Sequence, residues 1–298
     1  MKPAPFDYVR PGTLEEALAL LAEHGDEARP LAGGQSLLPL LALRLARPSI
    51  VVDIGRLDAL CGLADAPDGR VRLGALLRHR DAVREAAVRR AVPLLSEAAR
   101  HVAHPGVRNL GTLGGAIALG DPAAEYPAVA IALDAEIGLA SASGTRTVAA
   151  DAFFTGAMTT AARPDELVTG LLVRPFAPGD RHGFHEIARR HGDYALAGAA
   201  IVVRGDGETV ARRVRAALFG VADRPLPLPA AAAVLADAGP DAWTADLLDA
   251  AAEAVREDLS GEDADPMRAH LAAVAVRRAA IRLQAAPREV PAIDGRRR

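Results

Sequence analysis

Two glycine pairs, Gly33-Gly34 and Gly114-Gly115, restrict this chain more than any other feature of its sequence. The first stands in Ala32-Gly33-Gly34-Gln35-Ser36-Leu37, the second in Thr112-Leu113-Gly114-Gly115-Ala116. Paired glycines reach backbone conformations closed to other residues and let main-chain N–H groups approach an anion closely. Ser36 and Thr112 add a hydroxyl beside each pair. Two such loops converging from separate parts of a fold can hold a pyrophosphate from two sides without a metal. Neither loop has the G-x-G-x-x-G spacing of a Rossmann fingerprint, and no Gly-Lys-Ser/Thr follows, so a Walker loop is excluded too.

The flanking patterns place the first loop between a strand and a helix. Thr13 and Glu16 form a capping box, Leu14, Ala17, Leu18 and Leu21 share one helical face, and Gly25 ends the helix expected over 13–24. Extended Arg29 to Ala32, a helix from Leu37 to Leu45 and a strand over Ile50 to Ile54 complete a small αβαβ unit. Free N–H groups at a strand-to-helix junction suit phosphate. From Val71 to Val173 helices are expected at Arg78 to Glu85, Ala91 to Val102 and Pro122 to Leu133. A hairpin turns at Ser143-Gly144, and a strand covers Glu166 to Val173. Pro175 to Gly179 is the expected domain boundary. Beyond it, strands Ala197 to Arg204 and Thr209 to Phe219 flank a Gly205-Asp206-Gly207 turn, and alanine-rich helices run over 229–237, 243–258 and 267–285.

Composition limits the function. At 298 residues the chain is long enough for roughly two domains. Half of the residues are hydrophobic and 24% are charged, the balance of a globular core. A net charge of −3 gives no reason to bind nucleic acid or an anionic membrane, and the Arg296-Arg297-Arg298 tail reads as solvated. A single cysteine, Cys61, allows no internal disulfide and no iron–sulfur cluster of the chain's own. No apolar signal core and no run of about twenty apolar residues is present, so the expected location is the cytoplasm, without membrane insertion. No triad, paired-carboxylate motif or zinc spacing stands out; His101 and His104 lack a third ligand, so no metal site and no catalytic residue is assigned. Cys61 reads as a small buried hydrophobe and Trp243 as helix packing.

Four segments in order carry a resemblance: Phe6-Asp7-Tyr8, Pro30 to Leu37, Asn109 to Glu125 with Gly120-Asp121-Pro122, and Arg189-Arg190-His191-Gly192-Asp193-Tyr194-Ala195. With these the chain resembles the FAD-binding medium subunit of molybdenum hydroxylases, the carbon monoxide dehydrogenase and xanthine dehydrogenase family. The resemblance implies an α+β fold of the vanillyl-alcohol oxidase/PCMH type. A small αβ subdomain (1–55) and a mixed antiparallel-sheet subdomain (56–176) would be followed by an antiparallel sheet with helices (177–288) and a flexible tail (289–298). It implies FAD held by Ala32, Gly33, Gly34, Gln35, Ser36, Leu37, Val102, Thr112, Gly114, Gly115, Ala116, Asp121, Glu125, Leu167 and Tyr194. In this scheme the two loop backbones hold the pyrophosphate, Glu125 lies near the ribose, Asp121 organises the turn and Tyr194 sits against the flavin. From the residues themselves, Arg108 approaches the second loop and is expected to face the phosphate, whereas Arg189, Arg190 and His191 read as a solvated turn.

The resemblance also implies partners: a small subunit with two [2Fe–2S] clusters and a large subunit with the molybdenum cofactor, in a heterotrimer or its dimer. The flavin would pass electrons to NAD⁺, quinone or oxygen. Two departures stand out. Ala116 occupies a position where relatives usually have asparagine, and His185 and Ala188 lie where they tend to carry a lysine. An FAD-free scaffold and a free-standing flavin oxidase are the alternatives. Gly114→Asp is expected at this level to expel FAD and leave the fold intact.

Overall fold

The computed structural model describes residues 2–205, 213–259 and 265–285; the Asp206-Gly207 turn, the start of the strand expected from Thr209 and the 289–298 tail lie outside the described residues. The first layer is a three-stranded parallel sheet with Ile50–Asp53 in the centre, Asp7–Val9 on one side and Ala28–Leu31 on the other. All four residues of Ile50–Asp53 are buried, as a central parallel strand requires. The unit is therefore βαβαβ, one strand more than the patterning indicates. Asp7–Val9 is only three residues long and mostly exposed, so it has no period to read. Helix Leu14–His24 begins as expected: Thr13 Oγ1 accepts from the Glu16 N–H at 3.2 Å, and Gly25, at φ 50°, ends it. Helix Leu37–Ala42 is shorter than its apolar run because Arg44, at φ 59°, closes the chain back, leaving Leu43 and Leu45 exposed.

The middle layer is a five-stranded antiparallel sheet, in the order Leu63–Asp65, Val71–Gly74, Leu167–Val173, Glu136–Ser141, Gly144–Ala149. The expected helix from Ala91 to Val102 is the shorter Pro93–Ala99, preceded by a separate helix, Ala86–Ala91, that the patterning does not indicate. Val92 leaves the helical region at φ −142° and Pro93 starts the next helix, the position where a missing N–H costs nothing. Helix Glu125–Ala132 is buried at every residue. A helix apolar all round belongs between layers, and this one packs on Pro93–Ala99 on one side and on the C-terminal sheet on the other.

That last sheet runs Arg181–Ala188, Ala195–Arg204, Arg213–Phe219, Leu226–Pro227, all antiparallel. Strand alternation splits it cleanly. Phe184, Ala200, Val202, Ala217 and Phe219 join the core of the middle layer, while Ala199, Ile201, Val203 and Leu218 join the core under helices Pro229–Ala236, Ala245–Asp258 and Pro266–Ala285. Trp243 is packed among these helices, its Nε1 donating to Leu235 O and Ala238 O at 3.0 Å each. The fold is α+β, with antiparallel sheets following the small parallel one. The sheet places the turn between Ala188 and Ala195 over the segment that precedes the second glycine loop, and this juxtaposition builds the site.

Candidate functional site

The two glycine loops meet, and Gly33 is the reason they can. A Cβ on Gly33 would lie 2.2 Å from Leu110 O and 2.8 Å from Gly111 Cα, so the first loop rests directly on the backbone leading into the second. Among the described residues, the N–H groups of Gly33, Gly34, Gln35 and Ser36 have no intramolecular acceptor. Four consecutive unbonded donors, only partly buried, are what an anion with several oxygens requires. Gly34 stands at φ +72°, the left-handed conformation that gives the loop its turn. Gln35 Nε2 donates to Gly33 O at 3.0 Å, bracing the loop across itself. Ser36, at the start of helix Leu37–Ala42, makes no capping bond and is exposed, so its hydroxyl is free to act as a donor.

The second loop differs. Thr112 caps helix Leu113–Leu119, its Oγ1 accepting from the Gly115 N–H at 3.2 Å. The Leu113 N–H goes to Leu77 O at 2.9 Å, Gly114 N–H to Ala75 O at 2.8 Å and Ala116 N–H to Thr112 O at 3.1 Å. Each of these amides is thus used inside the protein. Gly114 is buried, and a Cβ there would stand 2.4 Å from Ala75 Cβ. Its glycine is demanded by close packing against Ala75, so the expectation that a carboxylate at 114 would reach phosphate space and spare the fold does not survive. The second loop seats the first, and the first offers the donors.

From Leu110 the line continues through Arg108, whose Nη1 donates to Val102 O at 2.9 Å and Ala103 O at 2.6 Å. Held there, its charge acts on Glu125. Asp121 is buried and its Oδ1 accepts from the Ala123 N–H at 2.9 Å, the task of a turn organiser. Glu125 opens its helix and is also buried. Gly192, at φ +86°, brings the Arg189 to Ala195 turn against Ala103 O, at 2.9 Å from its would-be Cβ. Tyr194 follows at 74% exposure, its pKa raised by partial desolvation of the hydroxyl and by the nearby carboxyls of Asp121 and Glu125. Leu167 differs from the other expected residues: it is 5% exposed, in the core beneath the first sheet with Leu60 and Ala140. Val102 packs its side chain on the main core. Arg189 and Arg190 are exposed. Cys61, read from sequence as buried, is exposed, since it ends a short turn at the rim of the first layer. Among the described residues no three potential ligands cluster for a metal.

Sequence reasoning missed Glu186, His79 and Tyr126. Glu186 shares the inward phase of its strand with Phe184, a signal readable once Arg181–Ala188 is known as a strand. His79 and Tyr126 stack edge to face at 5.1 Å behind Gly111, and His79 Nδ1, Tyr126 Oη and Glu186 Oε2 are buried without partners. Burial pushes Glu125 from 4.5 up to about 7 and Glu186 up to about 8. Burial likewise holds His79 and His185 down, from 6.5 to about 4. The folded carboxyls keep protons that the unfolded chain releases above about 4.5, and the folded histidines refuse protons that the unfolded chain binds below about 6.5. The two effects oppose below about pH 6.5; above it only the carboxyls act, so stability of the ligand-free chain falls from about pH 6.5 to about 8. In thermal melts, Glu186→Gln is expected to flatten that alkaline decline, and equal declines in both proteins would refute the assignment.

Residues 4–174 match the family described as the FAD binding domain in molybdopterin dehydrogenase, and residues 182–283 match the CO dehydrogenase flavoprotein C-terminal domain. The chain belongs to this flavoprotein family. The glyceraldehyde dehydrogenase medium chain of Sulfolobus acidocaldarius is 44% identical over 76% of this chain and 79% of its own length. The carbon monoxide dehydrogenase medium chain of Afipia carboxidovorans is 35% identical over 96% of this chain and 99% of its own. The solved carbon monoxide dehydrogenase of Hydrogenophaga pseudoflava superposes with a TM-score of 0.87 at 37% identity, covering 96% of this chain and 99% of that one. This chain is accordingly an FAD-binding medium subunit of the molybdenum hydroxylase family, and its relatives are dehydrogenase subunits.

Proposed function

We propose that FAD lies along the line from Gly33 to Tyr194, and that the chain is the electron outlet of a multi-subunit molybdenum hydroxylase. The observation that carries this is the run of four unbonded N–H groups over Gly33 to Ser36, in a chain of this family. In this reading those amides and the Ser36 hydroxyl take the pyrophosphate. Leu110 and Gly111, seated by Thr112, Gly114, Gly115 and Ala116, hold the loop in place. Glu125, raised by burial to about 7, is shared between its protonated and ionised forms at neutral pH and in either form offers an acceptor for a ribose hydroxyl. Tyr194 offers an exposed ring for stacking on the isoalloxazine. Bound FAD supplies one- and two-electron chemistry, and the protein supplies binding and orientation.

With one cysteine, the chain needs a partner to supply any iron–sulfur cluster. We infer a small subunit carrying [2Fe–2S] clusters and a large subunit carrying the molybdenum cofactor, in a heterotrimer or its dimer, with NAD⁺, a quinone or oxygen as acceptor. Relatives named as medium chains support a multi-subunit assembly. We place the domain division at Pro175 to Gly179 and the complex in the cytoplasm; among the described residues no helix is long and apolar enough to cross a membrane. The test is co-expression with both partner chains. Substrate added without oxygen should bleach the flavin absorbance of the wild-type complex. A complex lacking this chain should reduce its clusters and stop there. Flavin that stays oxidised while the clusters are reduced would refute the outlet role.

A further inference from the structure

Glu186 sits opposite Gly198 in the sheet, its side chain 4% exposed, and its Oε2 has no hydrogen-bond partner. That oxygen lies 3.6 Å from Nδ1 of His101, whose side chain is 27% exposed. His101 packs on Phe184 at 5.0 Å and meets His191 edge to face at 6.2 Å between ring centroids. His191 is exposed. A buried carboxyl, a half-buried imidazole and an exposed imidazole therefore stand in sequence from interior to water. We propose that Glu186, His101 and His191 form a proton relay linking a carboxyl buried at the flavin end of the site to bulk water.

The inference rests on the FAD reading above, which puts Glu125 and Tyr194 at the cofactor. At neutral pH burial keeps the proton on Glu186 and keeps His101 neutral, so the pair holds one proton between them. Beyond burial, the charge acting on Glu186 is that of Glu125, from the helix packed on the neighbouring strands of the same sheet. On His101, Glu97 favours the charged form whereas Arg282, from the last helix, and His191 oppose it. His185 points to the other face, where Arg278 approaches it at 3.4 Å. Above about pH 8, where Glu186 is ionised, a proton from water enters at His191 and leaves hydroxide in the solvent, passes through one bridging water to His101 Nε2, and His101 Nδ1 gives its own proton to Glu186 Oε2. Only N–H and O–H bonds are exchanged, and no electron moves. Negative charge arriving at the cofactor raises the proton affinity of Glu186, and the relay delivers the proton that answers it.

The test is spectroelectrochemistry of the full-length, FAD-loaded chain across pH, after flavin content is measured in each sample. Well below about pH 8 Glu186 holds its proton, and negative charge at the cofactor only strengthens that hold. Above that, wild type should take up one additional proton per two electrons, steepening the dependence of midpoint potential on pH, and Glu186→Gln should not. His101→Phe, which preserves packing on Phe184, should leave FAD bound and slow proton uptake after photoreduction by at least about tenfold, read with a pH indicator. Superimposable curves for wild type and Glu186→Gln, loss of FAD from a folded Glu186→Gln, or unchanged uptake in His101→Phe would each overturn the relay. A wild type that retains no FAD would instead overturn the reading beneath it.

Discussion

Gly33→Ala is expected to weaken FAD binding by roughly 100-fold or more while the chain stays folded. The added Cβ would stand 2.2 Å from Leu110 O, against the 3.4 Å at which ordinary contact begins, and the neighbouring obstacles at 2.8 Å are backbone as well. A flexible side-chain tip could swing aside; a carbonyl fixed between helix Pro105–Arg108 and the cap of Leu113–Leu119 cannot. The first loop must retreat instead, by about the 1.2 Å that separates those two distances. Hydrogen bonds from amides to phosphate tolerate little such movement. Each bond to a charged group contributes about 1.5 to 3 kcal/mol, so losing two accounts for the expected change. Gly34→Ala should do less: its Cβ meets Leu38 Cδ1 at 2.9 Å, which can move, leaving the strain of φ +72°, about 1 to 2 kcal/mol. Fluorescence titration with FAD separates the two variants. An affinity for Gly33→Ala within threefold of wild type would show that the loop does not carry the pyrophosphate.

Gly114→Asp should unfold the protein rather than merely empty it. Its Cβ would press on Ala75 Cβ at 2.4 Å, Cα at 2.8 Å and O at 2.9 Å, inside the contact between helix Leu113–Leu119 and the middle sheet. Overpacking of this kind costs about 1 to 3 kcal/mol, and an unpaired carboxylate forced into the same place adds several more. Against a total stability of about 5 to 15 kcal/mol, little remains. Gly115→Ala, at an exposed position, should be tolerated, with its Cβ 2.9 Å from Thr112 Oγ1 and a weakened cap as the main effect. Circular dichroism and solubility decide the matter. A Gly114→Asp protein that melts like wild type but lacks FAD would restore the second loop as a direct phosphate ligand.

The contrast between the two pairs marks where sequence ceased to be legible. Both read alike as glycine nests, because the residue type reports that a Cβ is forbidden without saying what forbids it. At Gly33 the obstacle is the other loop, and at Gly114 it is Ala75. Long periodic elements such as Leu14–His24 and Pro266–Ala285 were plain from their apolar spacing. Asp7–Val9 and Arg181–Ala188 were not: the first is too short, and the second alternates inward Phe184 and Glu186 with His185, so its polar residues mask the period. Missing that strand also hid Glu186. Tyr194 was legible through its Gly192-Asp193-Tyr194 setting, which the structure explains by the turn of Gly192 onto Ala103. Leu167 came with the resemblance alone, and its burial in the first core gives it packing as its visible role.

The most direct measurement is an absorbance spectrum of the purified chain before and after incubation with excess FAD and desalting, with the released cofactor identified chromatographically. One FAD per chain, retained through desalting, is the expected result. A chain shown to be folded that keeps no flavin, alone or assembled with its partners, would contradict the claim that Gly33 to Ser36 cradle its pyrophosphate.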